Sequence, residues 1–313
     1  MKSVVTGGAG FIGSHLVDAL AARGDQVLVL DDFSSGKREN LAGALDSGVS
    51  VTELDVADAQ GAFEAIEGFA PESVFHLAAQ IDVRRSMSDP GFDARLNVVG
   101  TVNVLEAAAR AGVSRLLFTS TGGAIYGEGE ERPHELPFAE TAPCAPFSVY
   151  GQSKLAAEGY VDFYTRTRGV SGGTVRLGNV YGPRQDPATE AGVVAIFCGL
   201  ARDGGQPTVF GTGRQTRDYI YVADVVDALL AMEGTVEGGP INVGTGVETN
   251  VLQLAEQIGG LSGREDFEPQ LAPARTGEIE RTVLDTKFAT DRLGWQAKRN
   301  IESGLSETLA ADA

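Results

Sequence analysis

The sequence predicts an α/β fold, a doubly wound parallel sheet with a smaller mixed α/β domain. Three observations predict it. β-branched runs alternate with helix-patterned segments as far as Leu177, a glycine-rich turn joins the first run to the first helical segment, and after Asn179 the alternation gives way to turn-rich sequence. This divides the chain into residues 1–177, with a returning segment at about 217–243, and a second domain of residues 178–313.

Taken in order, Lys2 to Thr6 is a short β-branched strand, Gly7 to Gly13 is glycine-rich, and Ser14 to Arg23 carries helical apolar spacing before a second strand, Gln26 to Leu30. The alternation continues through Val49 to Leu54 (strand), Ala59 to Gly68 (helix), Ser73 to Leu77 (strand), Phe92 to Ala111 (helix) and Arg115 to Ser120 (strand). Tyr150 to Arg168 (helix) and Gly173 to Leu177 (strand) complete the first domain. Beyond YGPRQDP, Gly192 to Arg202 reads as a helix, Val209-Phe210 as a short strand, and Arg217 to Met232 as strand then helix. The last of these and the strand Pro240 to Val243 are expected to return to the main sheet, with Leu252 to Ile258 helical in the second domain.

Composition narrows the function classes. A hydrophobic fraction of 42% and the lack of any long apolar run describe a soluble cytoplasmic protein with no membrane partner. A formal charge of -18 makes the average surface repel nucleic acid. Cys144 and Cys198 are too few for a disulfide framework, and His15, His76 and His134 form no metal-ligand spacing, so no metal is expected.

VTGGAGFIGSH places Gly7, Gly10 and Gly13 three apart between a strand and a helix. The first glycine permits a tight turn, the second lets backbone approach a pyrophosphate, and the third allows close helix packing. Asp31 ends the second strand, about 20 residues on, where a carboxylate accepts a ribose 2′-hydroxyl and repels a 2′-phosphate. The pattern is that of a Rossmann-type NAD site, although Lys37 and Arg38 nearby leave an opening for NADP. Asp55 and Val56, after the third strand, either flank the adenine or belong to a helix cap.

In VYGQSK, Tyr150 and Lys154 share one helix face. A phenol with pKa near 10 becomes a base at neutral pH only beside positive charge, which Lys154 and an oxidised nicotinamide would supply. Spacing alone fits a surface pair better than a catalytic one. The dinucleotide loop upstream, and STGGAIYG with the hydroxyls of Ser120 and Thr121 after a strand, favour chemistry.

GGAGFIGSH, HLAAQ (76–80), NVVGT (97–101), STGGAIYG, the Tyr150-Lys154 pair, RLGNVYGPRQDP (176–187) and TRDYIYV (216–222) together resemble the extended short-chain dehydrogenase/reductases that act on nucleotide sugars. Within them they are most similar to the UDP-glucose (UDP-galactose) 4-epimerases. The resemblance implies a base at Tyr150, a pKa partner and ribose clamp at Lys154, and Thr121 as the hydroxyl that positions O4, with Ser120 as the alternative. It also implies that Phe11, Ile12, Asp32, Ser35, Lys37, Leu77, Ala78, Ala79, Gln80 and Asn97 contact NAD. For the UDP-sugar it implies Gly122, Gly123, Asn179, Arg184 and Val194, with Val209 and Phe210 on the uracil, Arg217 and Arg275 on the phosphates and Glu278 on the uridine ribose.

The resemblance implies C4 epimerisation through a 4-keto sugar and a homodimer built on the helices Phe92–Ala111 and Tyr150–Arg168. Gly122-Gly123 stand where related 4,6-dehydratases carry an Asp-Glu pair, which favours epimerisation. UDP-glucuronate remains an alternative substrate, with Arg84, Arg85 and Arg184 available for its carboxylate. Thr282, where a bulkier residue restricts the C2 substituent, leaves N-acetylhexosamines open. A dehydrogenase that releases NADH and a catalytically silent NAD sensor are the remaining readings.

Overall fold

A computed structural model describes residues 1–187, 192–235, 239–274 and 278–311, and among these described residues twelve strands carry the architecture. In chain order they are β1 (Lys2–Thr6), β2 (Gln26–Asp31), β3 (Ser50–Glu53), β4 (Ser73–His76), β5 (Arg115–Thr121) and β6 (Ser171–Leu177). Then follow β7 (Asn179–Tyr181), β8 (Thr208–Phe210), β9 (Thr216–Tyr221), β10 (Pro240–Val243), β11 (Glu248–Asn250) and β12 (Gln270–Ala272).

Seven of these form the main sheet in the order β10-β6-β5-β4-β1-β2-β3, and the pairings from β5 to β3 are parallel. The fold class is therefore as predicted. The order reverses between β1 and β4, so the segments leaving those two strands flank the switch point where doubly wound sheets bind ligands. Buried Val4, Leu28, Leu30, Val74, Leu116 and Phe118 on the strands pack with Ile66, Val104, Leu105, Ala108, Ala157 and Val161 on the helices. Each Val, Leu, Ile or Phe among them contributes about 1.5–3 kcal/mol on burial.

The chain forms two compact units. Residues 1–121, 148–176 and 226–241 make the first, and 122–147, 177–225 and 242 onward the second. The segment after Thr121 thus belongs with the second unit, and the returning segment starts at Val226 rather than Arg217. Only β10 rejoins the main sheet, whereas β9 lies in a separate three-stranded sheet between β7 and β11. In the second unit β8 pairs with β12, and helix Val193–Asp203 packs on helix Val251–Leu261, with Phe197 and Phe267 edge to face.

The helix predicted over Phe92–Ala111 is also different. It consists of a short helix, Pro90–Ala94, a π-helical turn, Arg95–Gly100, and a regular helix, Thr101–Arg110. Asn97 lies inside the π turn.

Candidate active site

The turn after β1 is shaped by glycine. Gly7 has φ +68°, and a Cβ there would lie 2.7 Å from Ala78 N, in the segment leaving β4. At Gly13 a Cβ would meet Gly7 O, while Gly10 caps helix Phe11–Ala22 with no side-chain cap hydrogen bond. A turn held against the β4 exit and a helix start free of side-chain caps suit a pyrophosphate. Asp31 closes this corner, its Oδ2 accepting from Ala9 N at 2.8 Å and its Oδ1 from Phe33 N at 2.9 Å. Burial pushes its carboxyl above the usual carboxylate value, and the two N–H donors oppose that. Each oxygen retains a lone pair, so the corner fits an adenine ribose as well as the turn fits the diphosphate.

The other predicted cofactor residues are placed as follows. Phe11 and Ile12 open the helix, and Asp32 accepts from both Ser34 N and Ser34 Oγ. Ser35 lies in the loop after β2, and Lys37 N donates to Ala9 O, so that loop is tied to the glycine turn. Asp55 pairs with Arg95 at 3.1 Å, and buried Val56 follows it. Leu77 N donates to Thr6 O, Ala78 N to Thr6 Oγ1, and Ala79 precedes buried Gln80.

The catalytic candidates come together on the first unit. Ser148 caps helix Val149–Thr167 by accepting from Gly151 N at 3.0 Å, which puts Tyr150 in the first turn and Lys154 in the second. The Tyr150 N–H donates to the buried Ser86 hydroxyl at 3.1 Å. Its phenol is hydrogen-bonded to the Thr121 side chain at the end of β5. Ser120, the alternative, is buried with an unpartnered hydroxyl, so Thr121 is the one paired with the candidate base.

Burial, then the negative charge of Asp93, push Tyr150 up to about 12, against the Thr121 hydrogen bond. The sequence leads one to expect Lys154 to lower it. Lys154 is itself almost fully buried with its ammonium 4.4 Å from the Phe118 ring centroid, and burial lowers it to about 7 against the pull of Glu158 and Asp93. In this chain alone the base is thus held as a phenol.

Asn97 does not project as a free ligand group. It accepts from Gln80 N at 2.9 Å, and its amide donates to Gln80 O at 2.9 Å, with Asp93 Oδ2 at 3.1 Å and Ser153 Oγ at 3.2 Å also within reach. Ser153 in turn donates to Tyr150 O at 2.9 Å. The π turn, the β4 exit and the catalytic helix are therefore joined through one amide. Asp93, Ser153 and Glu158 are parts of this site that the motif reading passes over. Their only sequence signal is spacing, Asp93 four before Asn97 and Glu158 four after Lys154.

The predicted UDP-sugar residues lie on the second unit. Asn179 Oδ1 on β7 is buried and has no hydrogen-bond partner. Arg217 on β9 bonds Thr216 O at 2.8 Å and lies 4.0 Å from Glu278. Val209 is buried and Phe210 half-buried on β8, and Val194 is buried on helix Val193–Asp203. Arg184 takes φ +67°, a left-handed conformation that strains a residue with a Cβ. Gly122 and Gly123 open a one-turn helix after Thr121, and a Cβ on Gly122 would overlap Leu284. Arg275 lies outside the described residues. Among the described residues no acidic, histidine or cysteine cluster is placed to hold a metal ion, and no helix is long and apolar enough to cross a membrane.

Residues 3–244 match the NAD dependent epimerase/dehydratase family. The chain belongs to that family. A UDP-glucose 4-epimerase of Mycolicibacterium smegmatis is 46% identical over 311 residues, covering 99% of this chain and 97% of that protein. Among solved members, the Thermotoga maritima UDP-glucose 4-epimerase with UDP-glucose superposes with a TM-score of 0.95 at 41% identity, covering 100% of this chain and 98% of that one. The Thermus thermophilus UDP-glucose 4-epimerase in complex with NAD gives a TM-score of 0.91 at 40% identity, with 99% and 98% covered. In a chain of the NAD dependent epimerase/dehydratase family, the glycine turn and Asp31 are a fitting place for the dinucleotide.

Proposed function

We propose that this chain is a UDP-glucose 4-epimerase, interconverting UDP-glucose and UDP-galactose through a transient 4-keto sugar. The observation that carries this is the Thr121–Tyr150 hydroxyl pair, with buried Lys154 one turn further, in a chain similar end to end to UDP-glucose 4-epimerases. Residues 1–177 with the returning segment serve as the NAD-binding part and residues 178–313 as the UDP-sugar-binding part.

Bound NAD supplies a reversible hydride acceptor for C4 of the sugar and, when oxidised, a positive charge that favours a phenolate. Tyr150 takes the O4 proton as C4 is oxidised and gives it back as the ketone is reduced, so no proton or electron pair is lost over the cycle. Thr121, already bonded to the phenol, orients O4 against it. Lys154 supplies ammonium charge and donors for the nicotinamide ribose, and it is held in the chain's apolar interior so that neither is spent on solvent. Asn179, Arg217 and Arg275 hold the diphosphate while the sugar turns to present its other face, and charge-assisted contacts suit that anchoring. Glu278 takes the uridine ribose, and Val209 and Phe210 the uracil.

The test follows UDP-glucose and UDP-glucuronate separately with the purified protein, reading the C4 epimer by anomeric proton NMR and NADH by absorbance. Galacto product from UDP-glucose without accumulating NADH is the expected result. Turnover of UDP-glucuronate alone, or accumulating NADH, would overturn it.

Cofactor choice gives a separate expectation. Asp31→Asn removes the charge that repels a 2′-phosphate while leaving an acceptor for Ala9 N. NAD affinity should fall about tenfold, the scale of one charged hydrogen bond, and the gap to NADP should narrow. Fluorescence titration of NAD-stripped protein with each dinucleotide reads both.

We also propose a homodimer working in the cytoplasm. Tyr160 and Phe163 on helix Val149–Thr167, and Val99 in the π turn, are large apolar side chains left 44–48% exposed, and neither Cys144 nor Cys198 is joined in a disulfide. Light scattering at micromolar concentration should give twice the chain mass; a monomer mass would refute the dimer.

A further inference from the structure

Among the three histidines of the chain, His76 is fully buried at the end of β4 and takes no part in the chemistry above. Its register partner on β1 is Thr6, and the two side chains meet, Thr6 Oγ1 to His76 Nδ1 at 2.7 Å. On the ring's other side Nε2 lies 3.0 Å from Thr101 Oγ1, at the start of the helix after the π turn.

The neighbours fix the direction of every proton. Thr101 donates its one hydroxyl hydrogen to Asn97 O, 2.7 Å away, and a carbonyl can only accept. Toward His76, therefore, Thr101 accepts, and Nε2 carries the ring hydrogen. Nδ1 is left with a lone pair and accepts from Thr6, whose oxygen accepts in turn from Ala78 N at 3.2 Å. A second hydrogen on the ring would have no acceptor at Nδ1. Burial, and then the charge of Lys154, push His76 down to about 3. Phe118 touches both groups, its ring stacked on the imidazole at 5.7 Å and its centroid 4.4 Å from the Lys154 ammonium.

We infer that His76 is a positioning residue of the epimerase: as a neutral Nε2–H imidazole it joins the cofactor turn to the π turn and the catalytic helix in one oriented hydrogen-bond chain. One branch runs through Thr6 to Ala78, the backbone against which Gly7 is packed. The other runs through Thr101 to the Asn97 carbonyl, and the Asn97 side chain continues it to Ser153 between Tyr150 and Lys154. The kinetic consequence rests on the activity proposed above; the tautomer and the cofactor consequence do not.

Two substitutions cut the branches separately. In His76→Gln the amide nitrogen falls near the position of Nε2 and keeps the donor to Thr101, and in His76→Asn the amide oxygen falls near Nδ1 and keeps the acceptor for Thr6. We expect His76→Asn to retain NAD affinity near that of the parent and lose about tenfold in kcat, and His76→Gln to show the reverse pattern, with NAD loosened about tenfold. Long-range proton–nitrogen NMR of the parent holoenzyme, assigned by the signal missing from either variant, should show an Nε2–H imidazole that does not titrate from pH 5 to 9. An Nδ1–H tautomer, a midpoint in that range, or equal losses in both variants and both readouts would overturn the inference. If neither variant folds, the NMR of the parent decides, with His76 assigned as the signal that remains in a His15→Gln, His134→Gln double variant. A parent without turnover of UDP-glucose would instead refute the proposed activity, with NAD affinity and tautomer still readable.

Discussion

Tyr150→Phe should leave a folded protein that still retains NAD and no longer interconverts UDP-glucose and UDP-galactose. The change removes one oxygen from a half-buried ring, so packing is nearly conserved, and only the Thr121 partner is left with a free hydroxyl. Loss of a positioned acid–base group costs about 10²–10⁴-fold in rate. The measurement is kcat by coupled assay alongside bound NAD and melting temperature. Activity within tenfold of the parent would remove Tyr150 from the chemistry. The pH dependence has a definite sign. The free phenol is held up to about 12 by burial and Asp93, so deprotonation needs added positive charge, and kcat should rise with pH as the phenolate forms. Lys154, held down to about 7, loses its ammonium at lower pH than the free phenol ionises, which works against that rise and should leave a maximum rather than a plateau.

Glu158→Ala should produce the largest loss of stability in the first unit. Glu158 and Arg176 are both nearly buried and joined at two sites, Nε to Oε1 at 3.0 Å and Nη2 to Oε2 at 2.7 Å. Truncating the carboxylate takes the two-point carboxylate partner away from a buried guanidinium, a loss of up to about 3–5 kcal/mol. Replacing the pair with apolar side chains of similar volume should be far milder, because no charge is left unmatched. Thermal melts of the single and double variants would check this; a double variant as unstable as Glu158→Ala would mean that shape, not charge, is what the pair contributes. Glu158 also favours the Lys154 ammonium one turn away, so folded Glu158 variants should lose activity at lower pH on the alkaline side.

What could be read from the sequence was local. The turn at Gly7, the acidic residue ending β2 and the Tyr150-Lys154 spacing each depend on a few consecutive residues, and strand and helix alternation depends on period alone. The membership of β9 was not legible, because TRDYIY suits either sheet and its pairing with β7 and β11 is decided by distant segments. The break in the Phe92–Ala111 helix was hidden for a similar reason. Nothing in RLNVVG forbids a regular helix, and the wide turn coincides with an asparagine whose side chain is claimed by the Gln80 backbone, remote in sequence. The direction of the Tyr150 shift likewise depends on burial and on Asp93, neither of which a motif displays.

The π turn at Arg95–Gly100 also sets where this helix can absorb a change in length. A π turn holds one residue more than the α turn it interrupts. Deleting one residue there would let the segment close into a continuous α-helix with Thr101–Arg110 still in phase, so Thr101 would stay beside His76. What such a deletion removes is the wide turn that presents Asn97 to the Gln80 backbone. A deletion within Thr101–Arg110 has no extra residue to absorb it and would swing every side chain beyond the cut by about 100° around the axis.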